Sequence, residues 1–456
     1  MKQFASHLID RFNRWRQSHM TDTAYFFLLT FVIGLLAGCA AHLLKFMIHW
    51  ASTVSTYGFR NGGVNLWLLL IPVAGIMLTG LFQRRVVRVD LEHGVERLKE
   101  NLADHKYKMT RRSLVSRLIA SSITLGFGGS AGSEGPIAMT GASIGSNVGQ
   151  ALKLPDSMLR VLIGCGAAAG IAGIFKSSVG GAMFAFEALA MELTMVAVIG
   201  VFVASITASL TAYILSGCTI DLAFSNHPDL PAELYPYIII LGVFSGFYSI
   251  YYTRIMHTMR HWFDSIRTPW KRNLISGAIL SVLVFCFPAL YGEGYGIMGK
   301  IVNGEFSGML DGSILSIVDL GAWSLIVVTA AIILVKAFAC SSSNCGGGVA
   351  GDYAPTLFAG VVTGFFFALL LNKVAGLDLP VGLFGLFGMA GVMSGTIGTP
   401  LLAIFITTEM ASAYDYFLPI CIVGFLSIIV VRLFSGQPFL HRGIHSGALL
   451  QNQLRK

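Results

Sequence analysis

Apolar residues in this chain run without interruption over membrane-length stretches. The clearest runs are Tyr25–Trp50, Leu66–Phe82, Met195–Leu215, Tyr235–Tyr252, Leu274–Leu290, Leu325–Phe338, Tyr353–Leu371 and Phe417–Phe434. A helix needs about 20 such residues to cross a bilayer. Three further runs, Ser113–Gly129, Val161–Glu187 and Leu383–Glu409, are broken by glycine. The pattern predicts an all-α polytopic membrane protein with several short or interrupted helices.

Composition sharpens this picture. Only 12% of the 456 residues are charged and mean hydropathy is +0.72, against roughly 25% charge in a soluble domain. The 52 glycines suit close helix packing and half-helices. Basic residues cluster before the first run (Arg11, Arg14, Arg16), in the connector Arg84–Arg117, in Arg254–Arg272, and at Arg442, Arg455 and Lys456. The connector Gly217–Pro236 has acidic residues and no Lys or Arg. By the positive-inside rule the basic regions, with both termini, are cytoplasmic, and Gly217–Pro236 faces out. The basic clusters read as topology and lipid-headgroup signals, not as a nucleic-acid surface. We divide the chain into an N-terminal segment 1–22, a first membrane repeat 23–216, a linker 217–236, a second repeat 237–435 and a tail 436–456. No removable signal peptide and no large C-terminal module are expected.

The chain repeats itself. Gly132-Ser133-Glu134-Gly135-Pro136 through Gly145 and Gly351-Asp352-Tyr353-Ala354-Pro355 through Gly364 both read G-x-x-x-P-x-x-x-x-G-x-x-x-G, 219 residues apart. Ser178–Glu187 and Pro400–Glu409 match at an offset of 222. Two halves then meet at a binding site built from interrupted helices.

Glu134 is the candidate centre. A carboxylate at membrane depth is costly and marks an ion or proton path. The Gly and Pro around it leave helix N–H groups free to face an anion. Other chemistry is poorly represented. There is no H-E-x-x-H and no paired intramembrane Asp, so an enzyme is not expected. The seven cysteines form no C-x-x-C, and Cys340 and Cys345 lack His or acidic partners nearby in the sequence. Neither a metal site nor a cofactor is expected.

These segments resemble the CLC family of chloride channels and proton-coupled anion antiporters. Gly132–Pro136 is similar to its G-[KR]-E-G-P signature, and Gly173-Ile174-Phe175 through Gly181–Glu187 to G-x-F-x-x-P-x-x-G-x-L-F-x-x-E. Gly347–Pro355 is similar to its G-G-x-F-x-P loop, Gly292–Gly296 to its G-x-G-Y turn, and Gly436-Gln437-Pro438 to the start of its last helix. The resemblance implies about eighteen helices in two inverted repeats and a homodimer with one pore per subunit. It implies transport of chloride, with protons as a possible second substrate. Glu134 becomes the gate, and Gly135, Pro136, Ile137, Asp352 and Tyr353 line the anion path.

The chain departs from the family pattern in several places. His93 falls on the position of the central coordinating Ser; the alternative is a solvated residue on the cytoplasmic rim. Leu440 stands at the coordinating Tyr. Proton-coupled members often carry a second Glu directly after the one matching Glu187, and here it is Ala188. Glu134, Glu187 and Ala188 are therefore the positions on which proton coupling turns. Ser178 replaces a Pro, and Lys176 precedes it, either adding positive potential near the inner pore or snorkelling to the interface. Lys336 would stabilise a helix C-terminus or attract anions. Asp352 would cap its own helix or turn away from the pore. Channel and antiporter both fit, as do fluoride- or nitrate-selective variants. A non-anion transporter would require more mid-span carboxylates than Glu134, Glu187 and Glu409.

Overall fold

The computed structural model describes residues 18–58, 65–88, 91, 94–219, 222, 224, 228–305 and 323–435. Residues 1–17, His93, and the tail with Leu440 lie outside them. Among the described residues there are sixteen α-helices, short 3-10 and π turns, and one isolated bridge. The all-α expectation of about eighteen helices is met in kind.

The first eight helices are α1 (Asp22–Thr56), α2 (Ile71–Phe82), α3 (Gly94–Ala103), α4 (Arg111–Gly126), α5 (Glu134–Ala151), α6 (Asp156–Phe175), α7 (Ser178–Met183) and α8 (Met195–Leu215). The next four are α9 (Tyr235–Ser265), α10 (Pro269–Cys286), α11 (Tyr295–Val302) and α12 (Ser324–Cys345). The last four are α13 (Tyr353–Ala375), α14 (Val381–Ile397), α15 (Pro400–Ala411) and α16 (Phe417–Phe434). Among the described residues, eight helical segments are long and apolar enough to cross a membrane. They leave large apolar side chains exposed, such as Phe31 and Phe46 on α1, Leu210 on α8 and Leu418 on α16. Water would penalise such faces, whereas lipid accepts them. The chain is an integral membrane protein.

The chain forms two compact units. One comprises Met1–Leu43, Val95–Leu118 and Ile137–Thr219; the other comprises Leu44–Gly94, Ile119–Pro136 and Ile220–Lys456. Each packs its helices through small residues, as expected where apolar side chains gain nothing by leaving lipid. In the first unit, Gly34 and Gly38 of α1 lie against the backbone of Ala204 and Ala208 on α8. Gly141 and Gly145 of α5 lie against the carbonyls of Gly166 and Leu162 on α6. In the second unit, Gly360 and Gly364 of α13 meet the carbonyls of Gly388 and Phe384 on α14 in the same way. The repeat read from sequence is therefore a repeat of packing, contact for contact.

The breaks correspond too. α6 ends at Lys176 and α14 at Gly398, both left-handed, with φ of 52° and 80°. These positions are equivalent at the 222-residue offset. Glycine adopts that backbone freely; Lys176 does so at a cost of about 1–2 kcal/mol. The Lys176 ammonium donates to the Thr219 carbonyl at 2.7 Å. After each break a short helix follows, α7 or α15, and α7 continues into a π turn over Phe184–Ala188.

The glycine contacts on α13 and α14 leave no room for a larger side chain. Gly360→Leu should cost about 1–3 kcal/mol or more through overpacking. It should lower the thermal midpoint of the detergent-solubilised protein, whereas Gly296→Ala, where a methyl meets nothing within 4 Å, should lower it less. Equal midpoints for Gly360→Leu and the parent protein would refute the packing account.

Candidate functional site

Two glycine-rich turns of the second unit meet at the site. The turn before α5 and the turn before α13 are joined by a reciprocal pair of backbone bonds. The Gly132 N–H donates to the Gly351 carbonyl at 2.9 Å, and the Gly351 N–H to the Gly132 carbonyl at 2.6 Å. Gly132 and Gly351 are equivalent positions of the two repeats. The internal symmetry of the sequence thus passes through this bridge.

Glu134 follows the bridge and folds back across it. Its side chain is 1% exposed. Its Oε1 accepts hydrogen bonds from the backbone N–H of Tyr353 and, at 3.3 Å, of Ala354. These are first-turn amides of α13, which have no partner inside the helix. They sit at the positive end of the α13 dipole. Each bond to a charged acceptor contributes about 1.5–3 kcal/mol. The other carboxyl oxygen, Oε2, is buried without a hydrogen-bond partner. Gly132 and Gly351 are glycine for a local reason. A methyl on Gly132 would overlap Oε2, and one on Gly351 would lie 2.6 Å from Oε1. Both glycines make the slot that the carboxyl fills.

Asp352 precedes α13 but its side chain makes no cap bond. The expectation that it caps its own helix is not met. Its carboxylate instead accepts from Asn344 Nδ2 and, at 3.5 Å, from the Cys340 thiol, both on α12. Asp352 has turned away, so the cap position is open to Glu134. Tyr353 is buried, and Gly135 packs on the Ala350 and Gly351 backbone. Pro136 has no N–H to offer, and Ile137 is buried in the first unit.

Two groups that the sequence did not assign to the site belong to its surroundings. Lys336 is fully buried in the middle of α12, so the helix-end reading fails. Its ammonium donates to Ser130 Oγ at 2.8 Å and lies 4.6 Å from the centre of the Phe358 ring. The second group is Glu293, in the turn after α10. It accepts from the Ser133 N–H at 3.0 Å and from the Ser133 hydroxyl at 2.5 Å. A signal for it existed: Gly292-Glu293-Gly294 is a carboxylate between two glycines, both with positive φ. Glu187 and Ala188 lie on the π turn of the first unit, half-buried and buried respectively.

The arrangement can bind an anion. A carboxylate oxygen stands on helix amides where a free anion would stand, and the donors are neutral, so occupancy is not locked by a full counter-charge.

Comparison with known proteins identifies the family. Residues 75–432 match the family model described as voltage gated chloride channel. The H(+)/Cl(-) exchange transporter ClcA of Vibrio parahaemolyticus is 24% identical over 441 residues, covering 93% of this chain and 91% of that protein. The putative chloride channel protein ClcB-like of Ralstonia nicotianae is 26% identical over 370 residues, covering 79% and 82%. Among solved structures, a CLC-type fluoride/proton antiporter superposes with a TM-score of 0.72 at 22% identity, over 90% of this chain and 96% of that one. A slow cyanobacterial Cl-/H+ antiporter gives 0.71 at 20% identity, over 94% and 98%.

A side chain added in the slot tests the geometry directly. Gly351→Ala should expel the Glu134 carboxyl from the amides of Tyr353 and Ala354, visible in a cryo-EM map of the variant. Glu134 found in its original place would show that the slot does not depend on glycine.

Proposed function

Because the chain belongs to the voltage gated chloride channel family, we propose that it exchanges chloride for protons across the membrane, with Glu134 as both gate and proton carrier. The observation that carries this reading is the Glu134 carboxylate on the first amides of α13. A chloride ion and an ionised Glu134 compete for the same N–H groups. Protonation removes the charge on which those bonds depend, halving the strength of a charge-assisted bond or more. The neutral side chain leaves, and an anion takes the amides. Loss of the proton returns the carboxylate and expels the anion. Proton and anion movements are linked because one position cannot hold both negative charges.

The relatives named as H(+)/Cl(-) exchangers cover nearly the whole chain and support exchange over a simple channel. The neutral ring of donors supports chloride, which must enter a dehydrated site and leave it again. In this reading Gly135–Ile137 and Asp352–Tyr353 supply backbone to the anion path. His93 and Leu440 lie outside the described residues. Glu187 holds its own turn in place. Two such chains form a homodimer within the lipid, each with its own pore and with both termini on the cytoplasmic side.

Reconstituted liposomes decide the matter, with chloride efflux and internal pH recorded together. The parent protein should take up protons as chloride leaves the liposomes down its gradient. Its chloride flux should rise as pH falls, since acid protonates Glu134 and frees the amides. Glu134→Gln should keep chloride flux, lose its pH dependence, and lose proton uptake by about tenfold or more. Chloride flux with no proton movement in the parent would make the chain a channel. No flux from folded protein would end the chloride reading.

A further inference from the structure

Exchange needs a group that receives the proton from Glu134, and Ala188 cannot hold one. The structure sets two other carboxylates one residue away from the Glu134 contacts. Glu293 is held by Ser133, the residue before Glu134. Asp352 precedes Tyr353, whose N–H holds Glu134 Oε1. Both are near enough to act electrostatically on the Glu134 carboxyl. Oε1 faces Gly351, and Oε2, buried and without a hydrogen-bond partner, faces Gly132. Positions 133 and 352 are equivalent in the repeat; one holds a carboxylate through Ser133 and the other is itself a carboxylate.

The two flanks lead in opposite directions. Asp352 accepts from the Cys340 thiol, and the Tyr252 hydroxyl lies beside that thiol. The neighbouring Ser341 donates to Met256. Tyr252 and Met256 belong to the part of α9 that carries Arg254 and Arg260, the cytoplasmic part by the positive-inside rule. Glu293 lies beyond the far end of α10, whose first turn carries Lys271 and Arg272. It therefore faces the outer side.

Resting on the exchange reading above, we propose that protons cross this chain through Glu293, Glu134 and Asp352 in turn. An O–H bond on Glu293 breaks as one forms on Glu134. The neutral Glu134 releases the α13 amides and delivers its proton to the Asp352 carboxylate. The Glu134 carboxylate then returns to the Tyr353 and Ala354 N–H groups. Each transfer is between carboxyl groups, so no other reactant is consumed, and the sequence runs equally in reverse. Other titratable groups beside these three include Lys336, on Ser130, and the Cys340 thiol and Tyr252 hydroxyl against Asp352. Asp352 thus supplies what position 188 lacks.

The test uses the full-length protein in liposomes, with chloride and proton movements recorded together. Asp352→Asn should keep chloride flux while proton uptake falls at least about tenfold, and Asp352→Glu should restore coupling. Glu293→Gln should slow proton uptake and move its dependence on outer pH to lower pH. Retained chloride flux shows that each variant is folded. Full coupling in Asp352→Asn, with the parent coupled, would overturn the route and leave exchange standing. A parent that moves chloride without protons would overturn exchange and the route together. Coupling lost in Asp352→Asn and equally in Asp352→Glu would also overturn it, by showing that the position tolerates no change for structural reasons.

Discussion

A carboxylate resting on the free amides of a helix N-terminus is the interaction on which this structure turns. Those amides cannot be satisfied within α13, and water is excluded from them by burial. Something negative must stand there or the helix end is left without acceptors. Glu134 meets that need from its own chain, and because it titrates, it meets it conditionally. Two glycines keep the slot open, a bridge between them fixes its width, and Asp352 turns aside so that the acceptor comes from elsewhere.

The packing follows from the same requirement. Helix ends can converge at membrane depth only if the helices behind them come close together. The glycines of α5 on α6, and of α13 on α14, provide that approach in matching registers. The breaks at Lys176 and Gly398 end the partner helices at equivalent points. Interrupted helices look like defects in a hydropathy trace, yet here they are the means by which backbone dipoles reach the interior.

Much of this was legible in the sequence. Glu134 stood out because an ionisable group among glycines in an apolar chain has few structural explanations. The repeat stood out because its glycine spacing survives where side chains have diverged. What was not legible depends on contacts between distant segments. Nothing local says that Gly132 pairs with Gly351, or that Asp352 prefers Asn344 to its own helix end. Lys336 sits in an apolar run, and its partner Ser130 is 206 residues away. Glu293 stands directly between two glycines but lies in a turn, where carboxylates are ordinary. His93 and Leu440, drawn from resemblance alone, lie outside the described residues.

The Gly132–Gly351 bridge has one more consequence, for ancestry. Matching spacing and contacts in two halves are what duplication of one segment would leave. Had both carried glutamate at this position, two carboxylates would have crowded one slot on the axis, a few ångströms apart and away from water. Like charges so placed cannot both ionise. Divergence of one copy to Tyr353 relieves that conflict. The single gate in a doubled frame is thus the residue of a broken symmetry that electrostatics would not have allowed to persist.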